Sequence, residues 1–388
     1  MRPAAPAVLA AFLAAGAWSG GAWAADYRPA VCRSAVAYAG APLHPPPSPA
    51  DLDGAAGDLA GSLDPATAAR LDAALDAAAA ATKAHALTAA VGVPGQGLWQ
   101  ARRGADAASS PLFYWASVGK LATATVVLQL VEEGRLKLSD PVSRWEPDLP
   151  NGAAITVEHL LDHVGGLFSA NEDAVVRRRG GRLSWDEELS VLRRHGALFC
   201  PGERWRYSNS GYAVLGRIVE QVDGRPLDRA IAARLISPLG LTGMRAIAPG
   251  DAVADIAAPV ADAGPDRALD VRAPGAAGPL AATAADMVRF EQALLDGRLL
   301  KAETTRRRFE RLYPMFQAGQ FYGQGVMLYD VPDTPRPLYW IGHSGGGPGV
   351  RAVVAYAPRQ RAFVAVALTG DGSAEAAANL LLKALAEP

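Results

Sequence analysis

The segment from Ser117 to Glu133 is apolar on nearly every side. Val118, Leu121, Val126, Val127, Leu128 and Leu130 fall at all angles around a helical period. A helix with no polar face cannot lie on a surface, so the rest of the chain must fold around it, and Gly134 is suited to ending it. At its start Ser117 stands three residues before Lys120. The chain has 38 basic residues but only five lysines, so a lysine inside so apolar a stretch calls for a chemical reason.

The elements around this helix follow from local pattern. Asp64 as N-cap, Pro65 in the first turn, and Leu71 and Leu75 four apart predict a helix from Asp64. "LTAAVGV" and "GLWQARRG" read as two strands joined by the turn "PGQG". Helices are expected at "TVEHLLDHV", "WDEELSVLRRH", "SGYAVLGRIVEQV", "LDRAIAARLISPL" and "TAADMVRFEQALLDG". Near the C-terminus "PLYWIGHSG", "RAVVAYAP" and "AFVAVALTG" are short β-rich runs, followed by a last helix over 373–385. Strands at both ends with helices between predict one sheet assembled from the two chain ends, with a helical lobe packed beside it.

The 388 residues carry a net charge of −1, which gives no electrostatic case for nucleic acid or an anionic membrane surface. Arg2, an apolar run from Ala7 to Trp18 and the small-x-small triplet Ala22-Trp23-Ala24 read as an export signal over 1–24. The run is short for a membrane span, so a mature chain without a span, periplasmic or secreted, is expected. Residues 25–62 are rich in Pro, Ala and Gly and read as a linker or loosely packed arm. The two cysteines, Cys32 and Cys200, would either pair by a disulfide, which export permits, or remain as two unreactive thiols.

Three segments carry chemistry. In Ser117-Val-Gly-Lys120 the two polar residues share a helix face. A lysine desolvated one turn below a serine is a base able to activate the hydroxyl. The Gly-Lys within it is no phosphate loop, since Tyr114 stands where that loop needs its first glycine and Leu121 where it needs Ser or Thr. In "PGERWRYSNSGYAVLG", Tyr207 and Asn209 alternate and can enter one cleft. The tyrosine is a proton carrier if Lys120 favours its phenolate, and the asparagine offers a donor and an acceptor to an amide. In "YWIGHSGGGPGVRAVV", His343 and Ser344 precede Gly345 and Gly346, where a substrate can approach the backbone and a strand N–H can supply half of an oxyanion hole. His159 and His163 are four apart, but Leu160 stands where a zinc-hydrolase helix has its glutamate and no third ligand is evident.

Taken together, these segments resemble the serine β-lactamase-like, penicillin-recognising family. The likeness is greatest to the branch of class C β-lactamases, D-alanyl-D-alanine carboxypeptidases, D-aminopeptidases and related esterases. Its motifs S-x-x-K, Y-x-N and [K/H]-x-G are matched in order by Ser117 to Lys120, Tyr207 to Asn209 and His343 to Gly345. The likeness runs from Asp64 to the C-terminus and includes "LQLVEEGRLKLSDPVSRWEP", "ITVEHLLDHVGGL" and "ISPLGLTGM".

The resemblance implies an α/β (α+β) fold: an antiparallel sheet from 63–110 and 320–388, flanked by helices, and a mostly helical lobe over 111–319. It implies an acylated Ser117, Lys120 as its proton partner and Tyr207 as acid and base. Asn209, His343, Ser344, Gly345 and Gly346 would bind the substrate, with the Ser117 and Gly346 N–H groups as oxyanion donors. No metal or cofactor is implied. The expected substrate is a small molecule or peptide, peptidoglycan-derived peptides included, cleaved through an acyl-enzyme. The alternative is a non-catalytic peptidoglycan-binding or sensor protein that keeps the pocket. Two departures matter. His343 replaces the lysine of true class C enzymes, which moves the expectation from β-lactam toward D-amino peptide or small ester. Gly119 stands where the family often has threonine, and Arg351, just past the glycines, is a second candidate for meeting a carboxylate.

Overall fold

The computed structural model describes residues 29–104, 112–264, 268–331 and 338–386; the expected export signal over 1–24 lies outside them. A short capped helix, α1 (Pro49–Asp53), precedes α2 (Pro65–Thr82). The Asp64 carboxylate caps α2 by accepting from the Ala66 and Thr67 amides. The chain then forms the hairpin β1 (Ala86–Val93) and β2 (Gly97–Gly104). After the short β3 (Phe113–Tyr114) it enters a 3-10 turn over Ala116–Gly119, and α3 (Lys120–Glu132) begins only at the lysine.

The single helix expected from Ser117 is thus a tight turn followed by a helix, and two contacts account for it. Ala116 sits in the left-handed region at φ 47°, which sets Ser117 off from the preceding strand. Gly119 passes so close to the 278–279 loop that a Cβ there would stand 2.4 Å from Pro279 Cδ. That contact is the reason for glycine at this position: a threonine side chain has no room.

The lobe is built by α4 (Val157–Leu161), α5 (Ala174–Arg179), α6 (Trp185–His195), α7 (Asn209–Asp223) and α8 (Leu227–Ile231), the last continuing as a π turn over Ala232–Ile236. Strands β4 (Met244–Ala246) and β5 (Leu280–Ala282) join β3 in a small antiparallel sheet, followed by α9 (Ala284–Leu295) and α10 (Ala302–Arg307). Six strands then complete the main sheet: β6 (Tyr313–Pro314), β7 (Gln320–Tyr322), β8 (Met327–Val331), β9 (Leu338–Gly347), β10 (Val350–Ala357) and β11 (Ala362–Thr369). The chain closes on α11 (Ala374–Ala386). The sheet order is β2-β1-β11-β10-β9-β8-β7-β6, antiparallel throughout.

Side-chain alternation explains why this sheet is covered on both faces. On β11, Val364, Val366 and Leu368 pack with Leu71, Leu75, Leu381 and Leu382 of α2 and α11. The residues between them, Phe363, Ala365 and Ala367, pack with Val288 of α9 and the lobe. Strands buried on both faces read as near-continuous apolar runs, as "AFVAVALTG" does. The all-round apolar α3 lies in the lobe core, with Leu121, Val126, Val127, Leu128 and Leu130 fully buried.

Residues 29–62 lie against the domain. Cys32 is disulfide-bonded to Cys200. The Val36 and Ala39 amides donate to the Pro201 and Glu203 carbonyls at 2.9 and 2.8 Å, and Ala55 and Leu59 are buried. A stretch rich in Pro, Ala and Gly is tied down here by backbone bonds and one covalent link.

Candidate active site

The three motifs meet where the lobe faces the sheet. Ser117 is on the turn at the head of α3, Lys120 opens α3, Tyr207 precedes the Ser208 N-cap of α7 and Asn209 opens that helix. His343 to Gly346 lie on β9 beyond Gly342, the last residue that β8 pairs, so this end of β9 has one free edge.

Lys120 is fully buried. Its Nζ lies 3.1 Å from Ser117 Oγ, 2.7 Å from Asn209 Oδ1 and 2.8 Å from the Ala277 carbonyl oxygen, and 4.7 Å from the centre of the Tyr207 ring. Burial pushes the ammonium well below its ordinary range. A neutral amine has two N–H groups and one lone pair. In that form the two carbonyl-type oxygens would accept the N–H groups and the lone pair would face the Ser117 hydroxyl; with its proton on, Lys120 donates to Ser117 Oγ as well. Tyr207 and Ser117 share a side-chain hydrogen bond. Burial holds the Tyr207 phenol above its ordinary value, with the bond to Ser117 acting the other way, so the resting tyrosine carries its proton.

Asn209 is committed on both sides of its amide: Oδ1 accepts from Lys120, and Nδ2 donates to Asn171 Oδ1 at 3.1 Å. One Nδ2 hydrogen is left over for a ligand. Ser344 Oγ accepts from Tyr329 at 2.7 Å. A Cβ on Gly345 would stand 2.4 Å from Ser117 N, so its absence keeps the space in front of that N–H open. The Arg351 side chain lies across Gly346, bonded to the Val350 carbonyl at 2.7 Å and paired with Asp371 at 3.3 Å.

Several contributors carried no local signal. Ala277 offers only a carbonyl, supplied by a loop 157 residues from Lys120. Asn171 anchors Asn209 from another loop. His163, singled out in sequence only as half of a pair with His159, takes φ 59° and accepts from the Ser208 amide at 3.2 Å. Its ring packs 4.2 Å from that of Tyr207 and 4.6 Å from that of Tyr322. His159 caps its own helix, accepting from the Thr156 amide through Nδ1. At the rim Phe316 is 59% exposed, its ring 5.5 Å from both Trp205 and Tyr207.

A nucleophile candidate, a desolvated amine and a tyrosine in hydrogen-bond contact, next to an open backbone N–H, is an arrangement suited to acyl transfer. Comparison with known proteins agrees with it: the beta-lactamase family model matches residues 68–387. The chain belongs to the beta-lactamase family. Within it, the chain is 30% identical over 226 residues to a putative penicillin-binding protein, PbpX, of Bacillus subtilis, covering 57% of this chain and 54% of that one. It is 36% identical over 204 residues to the esterase EstB of Burkholderia gladioli, covering 46% and 52%. These matches therefore span about half the length of either relative. Among solved structures, a D-stereospecific amidohydrolase from Streptomyces sp. superimposes with a TM-score of 0.68 at 26% identity, over 82% of this chain and 98% of that one.

Proposed function

We propose that this member of the beta-lactamase family is an exported serine hydrolase that cleaves an amide, peptide or ester through an acyl-enzyme. D-amino peptides and small esters are the preferred substrate class over β-lactams. The observation that carries the reading is the fully buried Lys120 Nζ, 3.1 Å from Ser117 Oγ with two other oxygens already taking its N–H groups. Ser117 Oγ bonds to the substrate carbonyl carbon while its proton moves to Lys120 Nζ. The new oxyanion is received by the Ser117 N–H and the Gly346 N–H. The bond to the leaving group then breaks as that group takes a proton from the Tyr207 hydroxyl. Water, giving a proton back, releases the acid by the reverse route. The esterase and amidohydrolase relatives support the substrate class. The Cys32–Cys200 disulfide supports an oxidising compartment, and no helix among the described residues is long and apolar enough to cross a membrane.

The test is intact mass after treatment with a fluorophosphonate. One added phosphonyl group is expected. A folded protein that takes none would shift the reading to a pocket kept for binding or sensing.

Two expected results follow from the same geometry. Gly345→Ala forces a methyl group against the Ser117 N–H, so kcat/KM is expected to fall about 10²- to 10³-fold, as for loss of one oxyanion donor. A melting curve close to wild type alongside unchanged kinetics would exclude the oxyanion assignment. The pH dependence has a definite sign. The reactive amine is the unprotonated one, so kcat/KM rises as pH increases through the Lys120 titration. Because burial lowers that titration, the midpoint lies well below 10.5. A rate still climbing at the ordinary lysine value would contradict a desolvated base.

A further inference from the structure

The His343 ring presents no free nitrogen to the cleft. The residue is fully buried, and both ring nitrogens are engaged. Nδ1 lies 2.5 Å from the Ser344 carbonyl oxygen, and a carbonyl only accepts, so the hydrogen is on Nδ1. Nε2, 3.3 Å from the Tyr322 hydroxyl, is then the acceptor and Tyr322 the donor. Tyr322 is itself fully buried, and its oxygen is 3.2 Å from the Tyr212 hydroxyl, which is 3.2 Å from the Leu161 carbonyl oxygen. The single Tyr212 proton goes to the Leu161 carbonyl, which only accepts, so with Nε2 bare the Tyr322 proton is free to go to His343.

We infer that Tyr322 is a positioning residue that holds His343 as the neutral Nδ1–H imidazole, and that the substrate group lying along this end of β9 is therefore uncharged, an alkoxy or simple amide end in place of a free carboxylate. The substrate half of this inference rests on the hydrolase reading above; the tautomer half does not.

The surroundings oppose a second proton on the ring. Burial acts most strongly, and Lys120 from α3 when it carries its proton and Arg308 following α10 act the same way, so His343 is held down to about 3. His163, following α4, is itself kept neutral by burial. The remaining neighbours are phenols: Tyr207 and Tyr212 at the head of α7, and Tyr322 on β7. The buried Asp162 bears on Tyr212 and Tyr322, and burial holds its carboxyl well above the ordinary carboxylate range. Protonating Nε2 would end the Tyr322 donation to the ring and turn that hydroxyl's hydrogen toward Tyr212. Arg351, the other cation beside the glycines, is committed to Asp371 and to backbone carbonyls. A carboxylate brought to His343 would gain no ion pair in exchange for its water, a loss of about tenfold or more in binding.

The test uses protein labelled with 15N at its six histidines, the His343 signals being identified by their loss in His343→Gln. Nδ1 is expected to be protonated and Nε2 bare, with no titration from about pH 8 to about pH 5. Tyr322→Phe keeps the ring and removes the donor; its His343 Nε2 signal should shift to that of an acceptor with no hydrogen bond. A wild-type His343 that titrates in that window, that carries its proton on Nε2, or that is unaltered in Tyr322→Phe overturns the positioning role. Matched esters or amides, with and without a carboxylate on the leaving group, judge the substrate half. The uncharged member should be favoured at least about tenfold in kcat/KM by the wild type, with a ratio independent of pH. A preference for the carboxylate overturns it. Absence of turnover on both, together with no fluorophosphonate label, removes the hydrolase reading and with it the substrate half, while the 15N result stands by itself.

Discussion

Replacing Ser117 with alanine is expected to lower kcat/KM by a factor on the order of 10⁴ or more and to abolish fluorophosphonate labelling, with little change in thermal stability. In the proposed mechanism the loss is large because Ser117 Oγ is the atom that forms the covalent bond; without it, Lys120 and Tyr207 have no proton to move. Stability is spared because the turn does not depend on the hydroxyl. The strained left-handed residue is Ala116, and the close contact beneath the turn is Gly119 on Pro279. Lys120 keeps its two carbonyl-type acceptors, Asn209 and Ala277. Turnover and melting of the two proteins side by side provide the check. A variant that keeps activity would show that the nucleophile is another residue. One that melts far lower would show that the hydroxyl is structural.

Removing the disulfide by Cys32→Ser with Cys200→Ser is expected to cost up to about 5 kcal/mol in stability, the chain-entropy value for a link spanning 168 residues. The damage should be uneven. Cys200 begins the segment that runs through Trp205 and Tyr207 into α7, and the arm it is bonded to also holds Pro201 and Glu203 by backbone bonds from Val36 and Ala39. Releasing the arm frees that segment, so kcat/KM should fall as well, by less than in Ser117→Ala. Denaturant unfolding of oxidised wild type against the double variant measures the first effect. Equal midpoints would mean that the backbone bonds alone hold the arm.

The elements whose signal is periodic or local were legible in the chain. Asp64 and Pro65 announce α2, the short β-rich apolar runs "LTAAVGV" and "AFVAVALTG" announce two neighbouring strands of the sheet, and the all-round apolar run after Ser117 announces the central helix. The order of Ser117, Lys120, Tyr207, Asn209 and His343 was also legible, because each motif is a fixed short spacing. The short strands β3 to β8 were not. Runs of two to five residues bury too little and span too few periods to stand out from loops.

What the sequence by itself determined is which residues can carry the chemistry and which element each one opens or precedes. What only the tertiary structure decided is their chemical state. Burial pushes the Lys120 ammonium below its ordinary range, and the distant oxygens of Ala277 and Asn209 take its N–H groups. Ser117 presents its N–H because Ala116 turns left-handed and Gly345 lacks a side chain. The His343 Nε2 has a partner because Tyr322, unmarked by any motif, reaches it from β7. Desolvation and hydrogen-bond direction depend on atoms that meet only after folding, from positions far apart in the chain, so no local pattern records them.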